Sequence, residues 1–89
     1  MRADTKHYII VEVDGCIHAA INKKNKADKY DDPKEFGSRK AAMAWIKRHS
    51  YKGMSYHYEI YAVPIDDSAL KCVYNQKEDK TEWGKLLKS

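Results

Sequence analysis

The chain has only two cysteines, Cys16 and Cys72, in 89 residues. Two thiols so far apart cannot staple a disulfide scaffold, and their spacing matches no metal-binding motif. They read as reduced thiols of a cytosolic protein. No apolar run approaches the roughly 18 residues that a membrane helix needs. The opening MRADTKHYIIVEVDG holds too short an apolar run, and no small-residue cleavage site, for a secretory signal. A cytoplasmic location is therefore expected, with no membrane partner. Also missing are a glycine-rich phosphate loop, a nucleophile elbow, a CxxC pair and an HExxH helix. Without such a constellation, the reading is a non-enzymatic protein with no cofactor and no metal.

Acidic residues are missing from one long stretch, Phe36 to Gly53, FGSRKAAMAWIKRHSYKG. Five basic residues fall in it: Arg39, Lys40, Lys47, Arg48 and Lys52. Outside it 12 basic residues stand against 13 acidic ones, so this stretch carries the whole net positive charge. The pattern predicts a single amphipathic helix of about three turns. Ser38 is a suitable N-cap, because its hydroxyl can accept from a free backbone N–H of the first turn. Ala41, Ala42, Trp45, Ile46 and His49 recur at helical spacing and predict the buried face. Gly53 suits the left-handed residue that follows many helices. The five cations form a candidate surface for phosphates or for an acidic protein.

Before the helix, His7 to Val13 and Cys16 to Ile21 read as strands joined at Asp14-Gly15. Asp-Gly is a strong two-residue hairpin signal, since both positions tolerate positive φ. That turn predicts Val13 opposite Cys16, Val11 opposite His18 and Ile9 opposite Ala20. On the other face it sets Glu12 opposite Ile17, Ile10 opposite Ala19 and Tyr8 opposite Ile21. Both faces of the hairpin are then apolar, whereas one short helix can cover one face only. The second face calls for cover from the C-terminal segment, a second copy of the chain or a partner.

Residues 22–35 are polar, contain Pro33, and predict a mobile loop in which lysines and acids nearly cancel. Met54 to Val63 reads as a strand ending at Pro64, which cannot donate to a ladder. It places Tyr56, Tyr58, Ile60 and Ala62 on one face and His57, Glu59, Tyr61 and Val63 on the other. Leu70 to Tyr74 can form a fourth strand. Residues 76–89 read as a charged tail with a short helix possible near its end. The whole predicts a single α+β domain over 1–89. Its small antiparallel sheet, order 2-1-3 with a fourth strand beside the third, packs on one main helix in ββαβ(β) order.

Of four histidines, His57 stands out, because Glu59 shares its strand face and can pair with it as a surface ion pair. Tyr51, Tyr56, Tyr58 and Tyr61 fall within eleven residues. Tyrosine combines apolar area with a polar tip and is enriched at interfaces. Tyr51, Tyr61 and His57 are therefore candidates for an aromatic binding surface.

The run Phe36-x-Ser38-x-x-x-Ala42-x-x-Trp45-Ile46 resembles a pattern of small strand-strand-helix-strand domains. One such family is the hybrid-binding domain at the front of some ribonucleases H, which grips RNA–DNA duplexes. The match covers about 11 of 89 positions, and the Gly-Ile-Tyr and Trp segment of that family is lacking. As a whole, the chain resembles the short, lysine- and tyrosine-rich accessory proteins of bacteriophages, some of which inhibit host defences such as CRISPR complexes. That second resemblance implies a viral protein acting in the host cytoplasm. Three functional readings follow. The first is an inhibitor or modulator of a larger host protein or ribonucleoprotein, in the manner of an anti-CRISPR. The second is a nucleic-acid or nucleotide-binding domain using the basic helix. The third is a small structural homodimer.

Overall fold

The computed structural model describes residues 5–66 and 68–78. The elements are β1 (Thr5–Asp14), β2 (Ile17–Ala20), α1 (Arg39–His49), β3 (His57–Pro64) and β4 (Lys71–Asn75). The strands form one antiparallel sheet of order β2-β1-β3-β4, so the fold is α+β with ββαββ order. The fourth strand stands beside the third, as the sequence suggests. The proposed terminal helix of the tail lies outside the described residues.

The hairpin corrects the expected register by two residues. Val11 pairs with Ala20, Val13 with His18 and Asp14 with Ile17. The turn residues are Gly15 and Cys16 rather than Asp14 and Gly15. Gly15 has φ +63°, whereas neither Asp14 nor Cys16 has positive φ. This is the pattern of a turn with glycine at the first central position, which leaves Asp14 in the ladder. A shift of two preserves the alternation, so each side chain keeps its predicted face. Tyr8 exchanges both backbone hydrogen bonds with Phe36, at 2.9 Å each, instead of meeting Ile21. Phe36 is thus fixed to β1 immediately before the helix begins.

The helix starts where the sequence says it should. Ser38 Oγ accepts from the Ala41 N–H at 3.1 Å. It ends earlier than Gly53 implies. His49 is the last helical residue, and Ser50 already has extended backbone. Gly53, at φ +89°, serves a separate turn closed by the Met54 N–H and the Tyr51 carbonyl, where a type II geometry requires positive φ. Ala42, Trp45 and Ile46 are fully buried. Ala41 is exposed, and Met43 packs against the core in its place. The Trp45 ring stacks on His49 at 3.9 Å and meets Tyr58 edge-on at 5.2 Å.

This core joins the helix to one sheet face, built from Ile10, Ile21, Tyr58, Ile60 and Tyr74. The helix covers only this face. The second face carries Ile9, Val11 and Val13 of β1 and His57, Glu59, Tyr61 and Val63 of β3. Along β4 the pairing steps from Ile60–Tyr74 to Tyr61–Cys72, so Val73 is an extra, bulged residue. Val73 packs toward the helix-side core.

Residues 22–35 are organised by one buried side chain. Asn22 Oδ1 accepts the N–H groups of Lys24 and Lys26, at 2.9 Å each, and its Nδ2 donates to Asp31. Asn25 sits in left-handed backbone, φ 64°, which asparagine tolerates better than most residues. Its Oδ1 accepts both the Trp45 indole N–H, 3.0 Å, and Lys34 Nζ, 2.8 Å. The first bond ties the lysine-rich loop to the helix, and the second closes the loop on itself.

Candidate functional site

The basic helix is the first candidate surface. Arg39, Lys40, Lys47, Arg48 and Lys52 are all exposed, and no acidic residue occurs in the first helical turn. They do not form one patch. Successive helical residues turn by about 100°, so Lys40 and Lys47 share a line while Arg39 and Arg48 flank it on opposite sides. The Arg39 guanidinium lies 5.9 Å from the centre of the Tyr74 ring, which directs it toward β4. Lys40, Lys47 and Arg48 remain as the outward set, with Lys52 following in the next turn.

At the C-terminal end of the helix this basic surface runs into an aromatic cluster. Tyr51 is 54% exposed. Its ring meets Tyr56 edge-on at 6.4 Å, and Tyr56 in turn meets Tyr58 edge-on at 5.7 Å. Hydrogen bonding with Tyr51, then burial, raises the pKa of the Tyr56 phenol. Burial, then hydrogen bonding with Tyr56, raises that of Tyr58. Three rings thus connect an exposed tyrosine to the core beneath the helix. Glu12, paired with Tyr58 across β1 and β3, contributes the negative field felt here. Burial and the neighbouring Asp14 raise the pKa of its own carboxyl.

His57 and Tyr61 lie on the opposite face of the sheet. The structure therefore does not gather Tyr51, Tyr61 and His57 into one surface. Around Glu59 it builds a different group. Glu59 Oε1 accepts the Tyr61 hydroxyl at 2.7 Å, and Oε2 lies 3.1 Å from both His57 Nε2 and Asn75 Nδ2. Glu59 is 8% exposed. The expected surface ion pair is thus a buried network, because β4 brings Asn75 opposite Glu59 and Tyr61 flanks it two residues on. The hydrogen bond to Glu59, then burial, raises the pKa of the Tyr61 phenol. A carboxylate with three donors around it is held in place, an arrangement that serves architecture well. No group of three or more His, Cys, Asp or Glu side chains among the described residues could hold a metal.

Sequence reasoning missed Asn75, Asn22, Asn25 and Gln76. Gln76 Oε1 accepts the Tyr58 N–H at 2.9 Å, and its Nε2 donates to Ser50 Oγ, joining β3 to the end of the helix. Amide side chains carry no periodic signal, and their partners lie up to 26 residues away. Only Asn22, at the junction of a strand and a polar loop, offered a local clue.

Comparisons of the chain with models of protein families, with curated proteins and with solved structures gave no match. Among the described residues no helix is long and apolar enough to cross a membrane.

Proposed function

We propose that this protein is a non-enzymatic binding protein that inhibits or modulates a larger host protein or ribonucleoprotein. Its docking surface is the outward side of α1. The observation carrying this reading is that Lys40, Lys47, Arg48 and Lys52 are exposed on or beside one helix without an acidic residue among them. Such a surface accelerates encounter with a negatively charged partner and favours it over a basic one. Asn25 holds a second lysine-bearing segment against the same helix, which adds to the positive field. The Glu59 network supports the same reading indirectly, since its carboxyl oxygens are already taken up by Tyr61, His57 and Asn75.

The test is affinity capture from a host lysate, with and without nuclease, using the native chain and a Lys40→Glu, Lys47→Glu variant. The expected result is a discrete set of proteins retained by the native chain and lost by the variant. Equal retention by both would remove the basic helix as the docking surface. Retention abolished by nuclease would mean that the contact runs through nucleic acid.

A further inference from the structure

We infer that the C-terminal end of α1 is a site for single-stranded nucleic acid, in which the Tyr51 ring stacks on an unpaired base while Lys47, Arg48 and Lys52 meet the flanking phosphates. This rests on the docking reading above and names the chemistry of the partner at that surface.

Two features meet at this end of the molecule. The basic line of the helix, from Lys40 to Lys47 and Arg48, runs toward it. Tyr51 follows two residues after the helix and presents a ring that is more than half exposed. Large aromatic groups at a protein surface are ordinarily covered or mobile. This one is braced by the edge-on contact with Tyr56, at 6.4 Å between ring centres. Tyr56 is itself anchored through Tyr58 and Trp45. The brace reduces the ordering cost of a stacking contact. Gly53 reverses the chain so that Lys52 and Tyr51 share one short turn.

A phosphate chain carrying flat bases matches both features. Successive phosphates engage the cations, and the π-face of an unpaired base engages the ring. A duplex offers the phosphates but keeps its bases stacked within the helix. An acidic polypeptide offers the charge without a flat ring for Tyr51. The observations therefore favour a single strand, and the other two partners become outcomes of the test.

The experiment is fluorescence anisotropy with a labelled oligouridylate of about twelve nucleotides, a duplex of equal length, and poly-L-glutamate. Three cations on a single strand give a log–log salt slope of about −2, so affinity falls roughly 20-fold between about 50 and 200 mM salt. Tyr51→Ala is expected to weaken oligouridylate binding by about 5- to 150-fold, and Tyr51→Phe, which keeps the ring, to stay within about 2-fold of the native chain. Both substitutions lie on the exposed surface, and unchanged melting curves will show that the fold is intact. The inference is overturned if oligouridylate fails to bind at low salt. It is equally overturned if the duplex binds as well as the single strand, or if Tyr51→Ala binds like the native chain. Binding of poly-L-glutamate alone, with host capture still sensitive to Lys40→Glu and Lys47→Glu, would overturn this inference and leave the docking proposal standing.

Discussion

The two faces of the sheet solve the same burial problem by different chemistry. On the helix side, Ile10, Ile60, Tyr58 and Tyr74 pack under Trp45 and Ile46 as one apolar cluster, with Gln76 and Asn25 adding hydrogen bonds at its margins. On the other side, Ile9 and Val13 are 6% and 7% exposed, yet a carboxylate sits in the next strand and is 8% exposed itself. Hydrogen bonds from three side chains hold that carboxylate. Apolar packing is tolerant of direction, so the helix side fixes the layering of the molecule. The Glu59 network is directional, and its Asn75 bond aligns β4 with β3.

The contrast can be broken first at the helix. Trp45→Ala removes the largest fully buried side chain among the described residues and frees Asn25 from the indole. A loss of about 3–5 kcal/mol is expected in chemical denaturation. An unchanged midpoint would show that the apolar side is not what holds the fold.

On the opposite face, Glu59→Ala removes the shared acceptor and leaves the Tyr61 hydroxyl and the Asn75 amide without it. The expected cost is roughly 1–3 kcal/mol, and amide exchange in β4 should accelerate more than exchange in β1. Uniform acceleration throughout the sheet would contradict an alignment role.

The hairpin offers a smaller and sharper test. Gly15→Ala places a Cβ at φ +63° and should cost about 1–2 kcal/mol. Asp14→Ala should cost less, because Asp14 remains in extended strand backbone. Equal costs would favour the Asp14-Gly15 turn instead.

The smallest effect concerns Glu12, a second glutamate of the sheet. Burial raises the pKa of Glu12 above its ordinary 4.5, so the folded chain holds this proton more tightly than the unfolded chain. As pH rises from below 4.5 through the raised value, the unfolded state ionises first and stability falls. Above that value the penalty is constant. Glu12→Gln should remove this fall and stabilise the protein at neutral pH, by no more than roughly 0.5 kcal/mol because solvent screens the half-buried group. Thermal melts across the acid range will show whether the slope disappears.

Much of the fold was legible because it rests on periodicity. The alternation in Met54–Val63 assigns Tyr58 and Ile60 to the helix side and Glu59 and Tyr61 to the other, as the structure has them. The Ser38 cap was legible because it acts over three residues. The hairpin register was misread because Asp-Gly is compatible with two turn placements, and Phe36 decides between them from a distance by pairing with Tyr8. Gly53 was misread because a positive φ serves a helix end and an ordinary turn equally well. The five cations of the candidate site were visible as a charge run. That Arg39 and Arg48 flank the Lys40–Lys47 line follows from helical spacing, whereas the turn of Arg39 toward Tyr74 and the contact of Tyr51 with Tyr56 depend on tertiary structure.

The bulge at Val73 has a consequence for how these molecules meet one another in a crowded solution. An outer strand with a regular ladder is a template on which a second chain can crystallise one peptide group at a time. The extra residue in β4 kinks that ladder after two pairs on either side and turns Val73 inward. A neighbouring copy approaching β4 meets an interrupted row of peptide groups, which discourages open-ended, fibre-like growth from this margin of the sheet.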